Sequence, residues 1–167
     1  MKIYTGRGDS GHTFDLRGKK ISKNDTLIHF LGAIDELNSF LGLVKAMFLS
    51  DDSHFSVCQS LENIQKNLMK IMAHCSDIKR EEYFIADNDV LSIEKETDML
   101  SEKIPRQHEL IVPGKSIMEA QIQITRTIAR RAERFFFAVN AEQNLCPQAG
   151  VYLNRLSDYL FILSQQE

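Results

Sequence analysis

Several things are scarce in this chain, and each absence narrows what it can be. Only three cysteines occur in 167 residues, Cys58, Cys75 and Cys146, odd in number, far apart and in no C-x-x-C pattern. A disulfide framework is therefore excluded, and free thiols in a reducing compartment are expected. No uninterrupted apolar run approaches the roughly 18 residues that a membrane span requires. The opening MKIYTGRGDSG lacks the apolar centre of a secretory signal and is neither Arg/Ser-rich nor amphipathic. Charge of one sign is also lacking, because 20 basic residues face 23 acidic ones for a net charge of -3. That balance gives no global pull toward nucleic acid or anionic lipid, so any anion site must be a local cluster. No internal repeat, low-complexity tract or domain boundary stands out. What remains is a single domain, 1–167, long enough to bury its own core. It is expected in the cytoplasm, with neither nucleic acid nor membrane as a partner.

What the chain does have is helical periodicity, from about residue 26 onward. Phe30, Ile34, Leu37, Leu41, Val44 and Phe48 alternate steps of four and three, which places them on one stripe. Val57, Leu61, Ile64, Leu68, Ile71, Cys75 and Ile78 repeat the spacing, as do Val90, Ile93, Thr97, Leu100 and Ile104. Ser116 with Glu119 forms a capping-box pattern after Pro113 and Gly114, opening a fourth helix through Met118, Ile122, Thr125, Ala129, Ala132, Phe136 and Val139. Pro147 and Gly150 read as punctuation before a fifth helix, with Leu153, Leu156, Leu160 and Leu163 as its seam. The expectation is an all-α protein: a five-helix antiparallel bundle over 26–167, preceded by an irregular Gly-rich arm over 1–25. Residues 77–88 read as a polar, exposed connection.

The stretch TGRGDSGHT carries two patterns that lead nowhere. Gly6, Gly8 and Gly11 have G-x-G-x-x-G spacing, but a dinucleotide site needs a strand before it, a helix opening at it and a second strand beyond. Arg7-Gly8-Asp9 is an adhesion tripeptide only outside the cell. The chemistry that remains is a phosphate cradle: glycines let backbone N–H groups approach closely, Thr5, Ser10 and Thr13 add hydroxyls, and Arg7, Lys19, Lys20 and Lys23 add cations. Three polar stripes accompany it. Asp35, Asn38, Gly42 and Lys45 form a row on the first helix. Glu119, Arg126, Arg130, Glu133 and Phe137 line up on the fourth, with Arg131 and Arg134 just outside, and Asn154 and Asp158 lie four apart on the fifth. A solvated face explains such rows in general, yet four arginines within nine residues also suit bidentate recognition of phosphate, or of a carboxylate across an interface. The five histidines are scattered, and His54 with Cys58, four apart, has metal-ligand spacing but reads as packing rather than as a metal pair.

KIYTGRGDSGHT, SKND, GAIDELNSFLG, RTIARRAER and YLNRLSDYLF occur in this order over nearly the whole chain. Together they resemble the PduO-type ATP:cob(I)alamin adenosyltransferases, whose fold is a five-helix bundle assembled as a homotrimer. The resemblance implies transfer of the 5′-deoxyadenosyl group of ATP to reduced cobalamin, with Mg²⁺, giving adenosylcobalamin and triphosphate. A second reading on the same fold is a weakly active or inactive ATP- or corrinoid-binding carrier or regulator.

Position by position, the resemblance implies that the arm (Thr5, Gly6, Arg7, Gly8, Asp9, Gly11, Thr13) and Lys23 bind ATP. Arg130 holds the triphosphate, with Arg131 and Arg134 nearby, Glu133 on the nucleotide or Mg²⁺, and Asn154 completing the pocket. No direct protein ligand to the metal is certain. Asp35 and Arg126 match a salt bridge between neighbouring subunits and, with Arg130, are the candidate catalytic residues. Asp35 and Leu110 fall on the corrinoid side, and Leu110 stands where the family has a Phe that keeps the lower ligand off cobalt. Gly6 replaces a basic residue, Lys115 a second Gly, and Gln123 a common His. A corrinoid reductase and an adenosylcobalamin-dependent client enzyme are the further partners implied.

Overall fold

The computed structural model describes residues 3–15, 18–49, 54–104 and 110–167. Residues 1, 2, 16 and 17 of the expected arm fall outside this description, as do the interhelical stretches 50–53 and 105–109. Five helices carry the fold: α1 (Thr26–Phe48), α2 (Phe55–Ser76), α3 (Asp87–Ser101), α4 (Ile117–Gln143) and α5 (Pro147–Ser164). The bundle matches the sequence expectation. Its spatial order is α2-α1-α4-α5-α3, with α1 and α5 each flanked by α4 on one side.

Local chemistry sets the helix ends. The extended Asp25 accepts the Leu27 N–H at 2.9 Å and caps α1. Ser116 Oγ accepts the Glu119 N–H at 2.9 Å, as the capping pattern predicts. The Glu119 carboxylate reaches one and two residues further back than a capping box requires, accepting N–H groups from Lys115 (3.3 Å) and Gly114 (2.7 Å). It is buried, so Glu119 belongs to the loop-to-helix joint and not to an open polar row. Asn144 ends α4 in the left-handed conformation at φ 51, and Pro147 occupies the first turn of α5.

The core follows the predicted stripes. Phe30, Ile34, Leu37, Leu41, Val44 and Phe48 of α1 meet Leu61, Leu68 and Ile71 of α2 and Ile122, Ala129, Ala132 and Phe136 of α4, all in one buried cluster. By length and composition α1 suits a membrane span, the one such helix among the described residues. It also carries Asp35 and Glu36 midway, and its apolar stripe is the centre of the bundle.

Four sequence expectations change. Part of the arm is regular: β1 (His12–Phe14) pairs antiparallel with β2 (Lys20–Ser22), His12 opposite Ser22. Asp15 organises the turn, accepting the Lys19 N–H at 2.7 Å, and Gly18 supplies a φ of +80. Gly150 does not precede α5 but lies inside it, where a Cβ would sit 2.6 Å from Phe136 Cε1; only hydrogen there lets α5 press against α4. Residues 77–88 are not wholly exposed, since Ile85 is buried, Phe84 packs edge-on to His74, and α3 already begins at Asp87. In the polar row on α1, Asn38 and Gly42 face α2, where Gln65 Nε2 donates to the Asn38 carbonyl at 3.1 Å; Asp35 remains exposed.

Candidate active site

The arm half of the site is built by the hairpin. Lys23 N–H donates to the Gly11 carbonyl at 2.9 Å, which brings the lysine back over the glycine loop. Its Nζ would lie 3.1 Å from a Cβ at Gly8, so Gly8 and the Lys23 ammonium are neighbours. Gly6 (φ +69) and Gly11 (φ +76) adopt conformations that other residues rarely do, leaving the backbone of the loop open. Thr5 Oγ1 accepts the Arg7 N–H at 3.5 Å, and the Asp9 N–H donates to the Gly6 carbonyl at 3.3 Å. Thr5, Arg7 and Asp9 are exposed, while Thr13 is half-buried in β1 opposite Ile21.

The helical half lies on α4 and α5. Asn154 Nδ2 donates to Glu133 Oε1 at 2.9 Å, joining the two helices one turn beyond the Gly150 contact. Arg130, one turn before Glu133, is exposed and has no ion-pair partner among the described residues. Arg134 Nη1 donates to the Arg130 carbonyl at 3.1 Å, and Arg131 turns away to pair with Glu36 of α1. The arrangement therefore offers one unpaired guanidinium beside a carboxylate held by an amide, which is suited to an anionic group carrying its own hydrogen-bond donors.

A third cluster sits toward the other end of α4. Arg126 Nε donates to Gln123 Oε1 at 2.7 Å, and Gln123 Nε2 donates to Ser164 Oγ at 3.0 Å. Gln123 and Ser164 are both buried, so the Arg126 guanidinium is held through its Nε, and Arg126 lines a cleft of about 300 Å³. Pro113, Gly114, Ile124 and Thr127 complete that cleft. Leu110, in the loop leading to it, is 99% exposed. Asp35 on α1 is exposed, and no ion pair joins it to Arg126 within the chain.

The structure thus brings together Gly8 with Lys23, and Arg130 with Glu133 and Asn154. No hydrogen bond among the described residues links residues 5–13 to α4 or α5. The hairpin leads directly into α1, and His29 in the first turns of α1 stacks on Phe135 of α4 with ring centroids 5.7 Å apart, two residues from Glu133. His54 packs on Phe48 and lies 3.8 Å from Glu167, while Cys58 Sγ lies 3.9 Å from the Lys45 carbonyl. Sequence reasoning passed over Arg155, whose signal was its place inside the polar stripe of Asn154 and Asp158.

The profile of the cobalamin adenosyltransferase family matches residues 3–167. This chain belongs to that family. A corrinoid adenosyltransferase of Bacillus subtilis (strain 168) is 34% identical over 162 residues, covering 96% of this chain and 83% of that protein. One from Citrobacter freundii is 34% identical over 170 residues, covering 99% of this chain and 94% of its own length. Among solved structures, a variant PduO-type ATP:corrinoid adenosyltransferase from Lactobacillus reuteri, complexed with cobalamin and ATP, superposes with a TM-score of 0.89. It is 28% identical, and the match covers 98% of this chain and 92% of that one. The family match, beginning at residue 3, spans the Gly-rich stretch and all five helices.

Proposed function

We propose that this chain transfers the 5′-deoxyadenosyl group of ATP to the reduced cobalt of a corrinoid, releasing triphosphate. The observation that carries the reading is the Arg130, Glu133 and Asn154 face, in a chain that also holds the Gly8 and Lys23 cradle and is matched by the family from residue 3 to 167. In the transfer, a bond forms between cobalt and C5′ while the C5′–O bond breaks. The electron pair of Co(I) makes the new bond, and the old pair leaves on the triphosphate. The substrate is its own nucleophile, so the protein's task is to orient C5′ and to stabilise the departing charge.

In this reading Arg130 and Lys23 take the triphosphate, the loop N–H groups of residues 5–13 line its path, and Glu133 with Asn154 hold the nucleoside end or its metal. Mg²⁺ fits as a chelate of the phosphates: it retains waters and needs one or two carboxylates, and Glu133 is the carboxylate of this face. No group of three or more metal-ligating side chains occurs among the described residues. Leu110 covers the lower face of the corrinoid at the cleft beside Arg126. Asp35 and Arg126 pair across subunits in a homotrimer, which also covers Leu43, Ile124 and Phe137, large apolar side chains left about half exposed on α1 and α4. A reductase supplying Co(I) and a client enzyme accepting the product are the partners this chemistry requires, and the cytoplasm is the compartment proposed for it.

The test is anaerobic. Purified protein, chemically reduced cobalamin and MgATP are expected to show an ATP-dependent spectral change to adenosylcobalamin. ATP binding without conversion would overturn the transferase reading in favour of a carrier.

A further inference from the structure

We infer that Arg155 is a positioning residue for the nucleotide face, acting through Asn154; the inference rests on the reading of Asn154 and Glu133 given above. A side-chain amide has one end that donates and one that accepts. An ionised carboxylate at Glu133 can only accept, so the pair works in one of the two amide orientations, with Nδ2 toward Glu133 as observed at 2.9 Å. That leaves Oδ1 facing the other way, and Arg155 Nη1 donates to it at 2.9 Å. The wrong orientation would set an amide NH₂ against a guanidinium and an amide oxygen against a carboxylate. Arg155 therefore selects the orientation that Glu133 needs.

Arg155 is itself fixed. Its Nε donates to Glu94 Oε1 on α3 at 2.7 Å, and its Nη1 lies 3.9 Å from Asp158 one turn along. The Glu94 hydrogen bond also raises the guanidinium pKa above its usual value. The result is a continuous chain of side chains, Glu94, Arg155, Asn154 and Glu133, that runs from α3 through α5 to α4. It ties the orientation of one site amide to a helix that supplies no other residue to the site. An arginine is required because two N–H groups on one rigid plane must serve Glu94 and Asn154 together; a lysine ammonium has no such fork.

A plain tie between α3 and α5 would use the same Arg155 and Glu94 contact, so the test reads kinetics and coupling as well as stability. Arg155→Met, Arg155→Lys, Glu94→Ala, Asn154→Ala and the Arg155→Met/Asn154→Ala double variant are compared in the anaerobic transfer assay, with thermal unfolding alongside. The expected result is that Arg155→Met lowers kcat/KM for ATP by about fivefold or more, the equivalent of losing one hydrogen bond, with the KM for the corrinoid unchanged. Arg155→Lys does not rescue, Glu94→Ala moves the ATP parameters the same way by less, and the double variant is no worse than Asn154→Ala alone. Additive losses, or an effect confined to the melting temperature, would overturn the positioning role. If Asn154→Ala impairs the enzyme and Arg155→Met does not, this inference alone fails. If Asn154→Ala changes nothing, the nucleotide face itself has been misplaced.

Discussion

Gly150→Ala tests the contact on which the proposed nucleotide face is built. An added Cβ would stand 2.6 Å from Phe136 Cε1, 3.1 Å from Cδ1 and 3.3 Å from Phe137 Cζ. Phe136 has little room to yield, being 1% exposed and packed edge-on to Phe30 at 5.9 Å between centroids. Replacing Gly by Ala inside a helix stabilises it by about 1 kcal/mol, whereas overpacking a tight core costs about 1 to 3 kcal/mol. The expected balance is a net loss of up to about 2 kcal/mol, or a melting temperature lower by several degrees at this size. The displacement also bears on function, because Asn154 lies one turn along α5 from Gly150 and on the same face. A rise in KM for ATP should accompany the lost stability. Urea unfolding and ATP kinetics on the variant measure both, and adding Phe136→Leu should relieve the clash, making the pair less harmful than the sum of its parts. A Gly150→Ala protein that is more stable by about 1 kcal/mol, with ATP kinetics intact, would show that the α4–α5 contact is not tight and refute the reasoning.

Three further outcomes are expected. Arg130→Ala should reduce kcat/KM for ATP at least about tenfold, since a charge-assisted contact contributes about 1.5 to 3 kcal/mol; unchanged kinetics would remove Arg130 from the site. Asp35→Asn should weaken subunit association or corrinoid use more than ATP binding, read by sedimentation and by separate KM values, and an effect on ATP alone would contradict the pairing with Arg126. His74 is buried and accepts the Cys146 N–H on Nε2 at 2.9 Å, and burial holds its pKa below the usual imidazole value. Its contribution to stability is therefore present above the unfolded pKa of about 6.5 and is lost as pH falls through the lower folded value. His74→Gln should flatten the loss of melting temperature between about pH 7 and 5, and an unchanged slope would show that His74 is not its source.

The helices were legible because burial imposes a long repeating pattern on α1, α2, α4 and α5, and because Ser116 announces its own cap. The hairpin was not, since each strand has three residues, too few for alternation to register. Gly150 was misread because periodicity reports which face is buried, not how closely two backbones approach. Residues 77–88 looked polar because two of their apolar anchors, Phe84 and Ile85, follow no helical repeat and the third, Ile78, continues that of α2, while His74 makes its bond to Cys146 at a separation of 72 positions, beyond any local pattern. In the candidate site, Arg130, Glu133 and Asn154 were identifiable from stripes and resemblance. Their division of labour was not, because Arg131 pairs with Glu36 and Arg155 with Glu94 across helices whose rotation no spacing reveals. Closeness of Lys23 to Gly8 likewise depends on the hairpin register.

The most direct test of the account is the phosphorus product of a single anaerobic turnover. With MgATP and reduced cobalamin, phosphorus NMR should show intact triphosphate formed in a one-to-one ratio with adenosylcobalamin, both strongly diminished in Arg130→Ala. Release of ADP and phosphate, or ATP consumption with no cobalt-bound adenosyl group, would contradict displacement at C5′ and with it the central claim.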